Sequence, residues 1–157
     1  MIIKQLVDED FVNYKKPSMF IAFPSCTFKC EKDCGQKMCQ NSSLMQSPNL
    51  NISISSLVER YMNNPITKAV VCGGLEPFDS WKELQCFIIE FRKHTDDDIV
   101  IYTGYREDEI QDKTEQLKQL SNIIIKFGRY IPNQQKHYDE ILGVFLASNN
   151  QKAIKIS

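Results

Sequence analysis

The residues best suited to chemistry are four of the six cysteines, which lie within fourteen positions of the chain: Cys26, Cys30, Cys34 and Cys39. A chain of 157 residues can bury an apolar core without disulfides, so clustered thiols indicate metal ligands rather than bridges. The loop contains no C-x2-C pair, the usual zinc spacing, and both histidines are distant in sequence. An iron–sulfur cluster takes its thiolates from one tight loop. The spacing therefore favours such a cluster, with zinc or an unrelated cysteine loop as alternatives.

The remaining cysteines and the two histidines receive simpler interpretations. Cys72 and Cys86 stand alone in sequence and are predicted to be small buried hydrophobic side chains. His94 ends a predicted helix, where a cation is favourable, and His137 falls in a polar stretch. Neither histidine is assigned a catalytic role.

A second candidate site is the glycine pair Gly73-Gly74, which follows an apolar run and precedes Glu76 and Pro77. Glycines at a strand end let a ligand approach the backbone closely and leave carbonyl oxygens unhindered. Together with the Glu76 carboxylate, those oxygens can accept hydrogen bonds from a ligand ammonium group. The alternative interpretation is an ordinary tight turn.

Hydrophobic patterning predicts the elements that position these motifs. Six apolar runs predict strands: Ile2–Val7, Met19–Phe23, Lys68–Cys72, Asp98–Tyr102, Asn122–Phe127 and Ala153–Ile156. Three periodic stretches predict helices: Ser53–Asn63, one opened by a capping box at Ser80–Glu83, and Glu107–Leu120. Their alternation predicts a parallel sheet, and the polar stretch Asn133–Glu140 predicts a surface loop. The cysteine loop, the glycine pair and Thr103-Gly104 each follow a strand, so all three are predicted at one edge of the sheet.

The cysteine loop resembles the C-x3-C-x2-C loop of the radical S-adenosylmethionine (SAM) superfamily. Cys26-x3-Cys30 matches the first spacing, and the third ligand is either Cys39 or Cys34. We favour Cys39, because the Gln40-Asn41 that follows it resembles the C-x-N ending found in small activating enzymes of the superfamily. Cys34 is then an alternate ligand or a spare thiol in an expanded insert.

The glycine pair resembles the Gly-Gly-Glu-Pro motif of the same superfamily, with Leu75 inserted. The resemblance implies that Gly73, Gly74 and Glu76 contact the methionine ammonium of SAM.

Three later segments narrow the resemblance to the anaerobic ribonucleoside-triphosphate reductase activating proteins: Tyr102–Tyr105, Ile125–Tyr130 and Ser148–Gln151. They imply that Thr103, Lys126 and Asn149 also bind the cofactor. Many members carry an aspartate near Lys126 that binds the ribose, and this chain does not, so the ribose contact is unassigned. The similarity extends roughly over residues 19–156.

The implied fold is α/β, an incomplete, open parallel β/α barrel of the radical SAM type, built as a single domain over residues 1–157. A complete eight-stranded barrel takes about 250 residues, more than this chain has. An open barrel encloses a small substrate poorly, but it can receive a loop from a large protein partner.

The implied activity is that of a glycyl-radical activase. A reduced [4Fe-4S] cluster cleaves SAM to methionine and a 5′-deoxyadenosyl radical, which takes hydrogen from a glycine of an anaerobic ribonucleoside-triphosphate reductase. The electron comes from a reductant such as flavodoxin or ferredoxin, and no catalytic side chain is needed beyond the cluster and SAM. Two alternatives stay open: a radical SAM enzyme acting on a small molecule or peptide, and a non-catalytic metal-binding module.

Composition and charge bear on the partners. The formal net charge of -1 gives no electrostatic reason to expect nucleic acid or an anionic membrane as a partner. No apolar run reaches the length of a membrane helix, and the first ten residues include three acidic ones where a signal peptide would be apolar. These features predict a cytoplasmic protein.

Overall fold

The computed structural model describes all residues 1–157 as ten strands and five α-helices. The strands are β1 (Ile2–Ile3), β2 (Gln5–Asp10), β3 (Ser18–Phe23), β4 (Leu50–Asn51), β5 (Ala69–Gly74), β6 (Asp98–Tyr102), β7 (Ile123–Phe127), β8 (His137–Asp139), β9 (Val144–Leu146) and β10 (Lys152–Lys155). The helices are α1 (Lys29–Cys34), α2 (Ser42–Gln46), α3 (Ile54–Met62), α4 (Trp81–Arg92) and α5 (Gln111–Leu117). None of these helices combines the length and the hydrophobicity needed to cross a membrane.

Six strands form one sheet in the order β10-β7-β6-β5-β3-β2. The four central strands are parallel, and both edge strands run antiparallel to their neighbours. The sheet is open, because its two edge strands do not pair with each other. In register, Phe23 lies opposite Gly74, and Tyr102 lies opposite Lys126. The architecture is α/β, and its assignment to an incomplete barrel of the radical SAM type stays a prediction.

The two faces of this sheet are covered differently. Helices α3, α4 and α5 pack on one face around a core cluster of 21 buried residues, which includes Val70 and Cys72 of β5. The alternate residues Ala69 and Val71 point to the opposite face, because successive side chains of a strand alternate. That second face holds a core cluster of only 8 buried residues, covered by Tyr14 and the segment around β9.

Several local predictions were wrong. Cys86 is exposed on α4, whereas Cys72 is buried as expected. Ser80 makes no capping hydrogen bond, because α4 continues from a 3-10 turn over Pro77–Ser80 whose cap is the Glu76 carboxylate. The helix predicted over Glu107–Leu120 is split into a 3-10 turn over Glu107–Glu109 and α5.

His137 lies in β8, which pairs with β9, and not in a surface loop. By contrast, the helix predicted over Ser53–Asn63 is confirmed as α3, and the Ser53 side chain caps it by accepting the Ser56 N–H.

Candidate functional site

A cavity of about 600 Å³ opens at the carboxyl ends of the central strands. It lies on the face of the sheet opposite the three large helices, where Phe20 and Tyr102 form its floor. Eight of the predicted site residues line it: Cys26, Cys30, Cys39, Gly73, Gly74, Glu76, Thr103 and Lys126. Two other predicted residues do not line it: Cys34 and Asn149.

The cysteine loop is shaped by left-handed residues at both ends of α1. Phe28 precedes the helix with φ 53°, and Gly35 ends it with φ 65°. The Phe28 N–H donates to Cys26 Sγ at 3.2 Å. Downstream, the N–H groups of Met38 and Cys39 donate to Glu31 Oε1 at 3.2 and 3.1 Å. These bonds fold the second half of the loop back over α1 and bring Cys39 to the cavity.

The environment of the thiols disfavours their ionised form. Burial raises the pKa of Cys26 to about 12. Burial also raises the pKa of Cys30, against the opposing effects of a backbone hydrogen bond from Tyr130 and the nearby charge of Arg129. Metal-bound cysteines are thiolates, so iron binding at this loop would release protons.

The donor set fits an iron–sulfur cluster. Cys26, Cys30 and Cys39 reach one cavity, and neither histidine lines it. Three thiols from one loop, without a nitrogen ligand, match the way proteins hold such clusters. As they stand, no three Cys, His, Asp or Glu side chains lie close enough together to hold a metal ion. Cys34 is exposed at the end of α1, and the choice between it and Cys39 stays a prediction.

The glycine turn is constrained by the neighbouring strand. Gly74 has φ 82°, and a Cβ there would lie 2.6 Å from the Cβ of Ala22. Its carbonyl oxygen already accepts a hydrogen bond from Asn41 Nδ2 at 2.7 Å, which joins the end of the cysteine loop to β5. A Cβ at Gly73 would instead meet the Phe20 ring at 3.1 Å, on the cavity floor.

Glu76 joins the ends of two strands. It is only 5% exposed, and its carboxylate accepts hydrogen bonds from Phe78 N at 3.1 Å, Thr103 Oγ1 at 2.8 Å and Gly104 N at 2.9 Å. Burial raises its pKa to about 7 despite these bonds. Since a carboxylate offers about four acceptor sites, one is left, on Oε2.

Lys126 is the buried cation of the cavity. It is 7% exposed, and its Nζ donates to the carbonyl of Gly128 at 3.0 Å without a carboxylate partner. The ammonium lies 5.9 Å from the centre of the Tyr102 ring. Burial lowers the pKa of Lys126 to about 8. Because burial disfavours the charged form of this side chain, an anionic group bound in the cavity would stabilise the ammonium.

Asn149 is exposed and does not line the cavity, and its backbone N–H donates to Gln134 Oε1 at 3.1 Å. Gln151 takes its place on the lining, where its Oε1 accepts the N–H groups of Ala147 and Ser148. The turn that contains Ala147 and Ser148 needs a side-chain acceptor for its N–H groups, and Gln151 supplies it. Sequence spacing does not reveal that Gln151, rather than Asn149, takes this position.

Sequence reasoning also missed the wall formed by the segment after β2. Val12 and Asn13 line the cavity, and Tyr102 Oη donates to the Asn13 carbonyl at 2.6 Å. No motif marks these residues, because the contact joins positions 89 residues apart.

A comparison with protein families matches residues 17–154 to the family described as 4Fe-4S single cluster domain. No curated protein and no solved structure gives a significant match. The matched range contains the whole cysteine loop and every strand of the large sheet except β2 and the end of β10.

Proposed function

The chain belongs to the 4Fe-4S single cluster domain family, and on that premise we propose that it is a radical SAM activase. Its partner in this proposal is an anaerobic ribonucleoside-triphosphate reductase. The observation that supports the proposal most directly is the shared cavity: three cysteines, a glycine turn and a buried lysine face one space. An ordinary metal-binding module has no need of the last two.

Cys26, Cys30 and Cys39 would hold the cluster and leave one iron open to SAM. A bound and reduced cluster would supply the one-electron chemistry that cleaves SAM reductively, for hydrogen abstraction from a glycine of the partner. The chain itself positions these groups and keeps water away from them.

Two charged side chains are suited to the two ends of the SAM methionine group. Lys126 Nζ has no carboxylate partner, so it can donate a charge-assisted hydrogen bond to the SAM carboxylate. The free acceptor site on Glu76 Oε2 can receive the SAM ammonium. Glu76 also orients Thr103 and Gly104, so its loss would disturb the cavity edge as well as the contact.

The cavity floor is suited to excluding water. Phe20 and Tyr102 form it, and Val144 and Leu146 of β9 contribute further apolar surface. The mouth is open at the strand ends, where a loop of a protein partner would complete the enclosure.

The decisive experiment is anaerobic reconstitution with iron and sulfide, followed by an assay for 5′-deoxyadenosine with SAM and dithionite. The proposal predicts about four irons per chain and SAM cleavage that depends on the reductant. Mixing with an anaerobic reductase encoded beside it should then give a glycyl-radical doublet in electron paramagnetic resonance. Turnover of a small molecule without a doublet would overturn the activase assignment, and a loaded cluster that never cleaves SAM would overturn the radical SAM assignment.

Lys126→Gln tests the cofactor contact. We expect unchanged iron content and SAM affinity weaker by about 10–100-fold, since a hydrogen bond to a charged group contributes about 1.5–3 kcal/mol. Equilibrium binding of SAM to the reconstituted protein measures this loss. Lys152→Gln, which neutralises an exposed lysine outside the cavity, is the matched control and should bind SAM normally.

A further inference from the structure

Arg129 joins the cysteine loop to the rest of the fold. It follows β7, is 7% exposed, and forms two parallel hydrogen bonds with Glu109, Nη1 to Oε2 and Nη2 to Oε1, both at 2.7 Å. This bidentate pairing fixes the guanidinium plane, because the two bonds constrain its orientation as well as its distance. The hydrogen bond from Arg129 is also the main reason why the pKa of Glu109 falls to about 2.

The other side of the same guanidinium faces α1. Arg129 Nε lies 2.8 Å from Asp33 Oδ2, within ion-pair distance but not aligned for a hydrogen bond. One turn earlier, at the start of α1, Lys29 Nζ lies 3.5 Å from Glu109 Oε1 and above the Tyr105 ring, 4.4 Å from its centre. Lys29 and Asp33 are four residues apart and therefore share one face of the helix.

Cys30 lies between these two anchors in sequence and close to Arg129 in space. A Cβ built on Gly104 would be 3.4 Å from Cys30 Sγ and 3.9 Å from Arg129 Cγ, so the thiol and the arginine stem border the same small gap. The buried Nε–H of Arg129 has no hydrogen-bond acceptor. Its contact with Asp33 Oδ2 at 2.8 Å supplies opposite charge without hydrogen-bond alignment, and a thiolate or sulfide beside Cys30 would offer it an aligned acceptor.

We infer that Arg129 is a positioning residue for Cys30. Arg129 holds α1 against the sheet and contributes a positive charge beside the iron–sulfur cluster. The inference rests on the cluster-binding part of the proposed function and not on SAM chemistry. Lys29, Arg129, Asp33 and Glu109 together carry two positive and two negative charges. Arg106 adds a further positive charge 3.9 Å from Glu109 Oε1. Each substitution that neutralises Arg129, Glu109 or Asp33 therefore changes the charge of the network by one unit of known sign.

The sign of the charge change provides a test, because a purely structural role predicts no relation between that sign and the midpoint potential of the cluster. Adding an electron to the cluster is easier beside a positive charge. We therefore expect Arg129→Gln to lower the midpoint potential of the cluster, and Glu109→Gln and Asp33→Asn to raise it. Arg129→Lys keeps the positive charge but loses the bidentate pairing of the guanidinium. The midpoint potential of the cluster in this variant should therefore lie closer to the wild-type value.

The positioning role has a separate measurement, the rate at which a ferrous chelator removes iron from the oxidised cluster. Groups that orient metal ligands typically contribute 10–100-fold to metal affinity. We expect Arg129→Gln to lose iron about 10–100-fold faster than wild type, and Arg129→Lys to lose it nearly as fast. Circular dichroism of each variant checks that it folds. Asp33 is half exposed, so Asp33→Asn supplies a folded variant even where the arginine variants fail.

Arg60→Gln is the matched control. Arg60 also forms a bidentate pair, with Asp8, but the pair is exposed and neither residue lines the cavity. It should change neither the potential nor the rate of iron loss. The inference is wrong if Arg129→Gln behaves like Arg60→Gln, or if Asp33→Asn and Arg129→Gln shift the potential in the same direction. Because SAM is absent from these assays, a failure to cleave SAM would leave the inference standing and overturn only the proposed activity.

Discussion

The two faces of the central sheet use the same strands for different purposes. Towards the helices, alternate residues such as Ile99, Ile101 and Ile125 are fully buried in the larger apolar cluster. Towards the other face, the ends of the same strands carry Tyr102 and Lys126, which border a cavity. One face is closed by packing, and the other leaves a lysine without a carboxylate partner. The alternation of side chains along each strand thus places the residues that stabilise the fold and the residues suited to chemistry on opposite faces of the sheet.

The largest expected effect concerns the cavity face, where the cluster depends on individual thiols. Cys39→Ala should abolish cluster assembly, as should Cys26→Ala and Cys30→Ala, because each removes a cysteine that lines the cavity. Cys34→Ala should leave the cluster assembled, since Cys34 is exposed and does not line the cavity. Iron and sulfide content after anaerobic reconstitution measures this. Loss of iron in the Cys34 variant with retention in the Cys39 variant would reverse the ligand assignment.

Phe91→Ala tests whether the face of the sheet covered by helices can be weakened without affecting the cavity face. Phe91 is fully buried on α4 and packs edge-on against Tyr61, with ring centres 4.7 Å apart. Truncating a buried phenylalanine costs about 3–5 kcal/mol of unfolding free energy, which urea denaturation measures. Iron content per folded chain should stay at the wild-type value, because no atom of the cavity is removed. A folded variant unable to bind iron would show that the two faces are coupled.

The glycine turn borders both the packed sheet and the cavity. Substitutions of its two glycines should therefore differ in their effect on stability. Gly74→Ala should cost about 2–5 kcal/mol of stability, because the left-handed backbone and the contact with Ala22 both oppose a side chain. Gly73→Ala, the matched variant, has an ordinary φ and meets only the Phe20 ring, which can shift. It should keep its stability within about 1 kcal/mol and weaken SAM binding.

Urea denaturation and SAM binding on both glycine variants check these expectations. Equal stability losses at the two positions would contradict the separate roles assigned to them. From the sequence alone, Gly74 was expected to contact the cofactor; its packing against Ala22 shows that β3 requires this glycine whatever the ligand.

The smallest effect is a pH dependence at Glu109. The pKa of Glu109 is lowered from 4.5 to about 2, so the fold favours the ionised form. Its contribution to stability is then fully present above about pH 4.5 and is lost as the pH falls towards 2. Glu109→Gln should cost about 1.5–3 kcal/mol at neutral pH, and the difference from wild type should shrink in that acidic range. Urea denaturation at several pH values measures it, and a difference that grows on acidification would contradict the assigned sign.

Much of the fold follows from local patterns in the sequence. The helical spacing of Leu57, Val58 and Tyr61 predicts the buried face of α3, and Ser53 marks its start. The apolar run ending at Gly73-Gly74 predicts β5. Parallel strands present their carboxyl ends at one edge, so the sequence also predicted which motifs would meet.

The tertiary structure decided which residues of those motifs reach the cavity. Cys39 lines it because Glu31 holds the loop folded back, whereas Cys34 ends α1 in solvent. Asn149 was expected there on resemblance and lies outside, while Gln151 lines the wall. Such outcomes depend on how a loop closes onto distant elements, and periodicity carries no information about loop closure.

The residue types and their order by themselves determined the strand and helix faces and the clustering of thiols, because these depend on neighbours within a few positions. Contacts across the chain decided the rest. Arg129 meets Glu109 and Asp33 from sequence distances of 20 and 96 residues, and Asn41 meets Gly74 across 33. The physical reason is that a side chain's partner is set by where the packed sheet places the backbone, and only the folded chain defines that place.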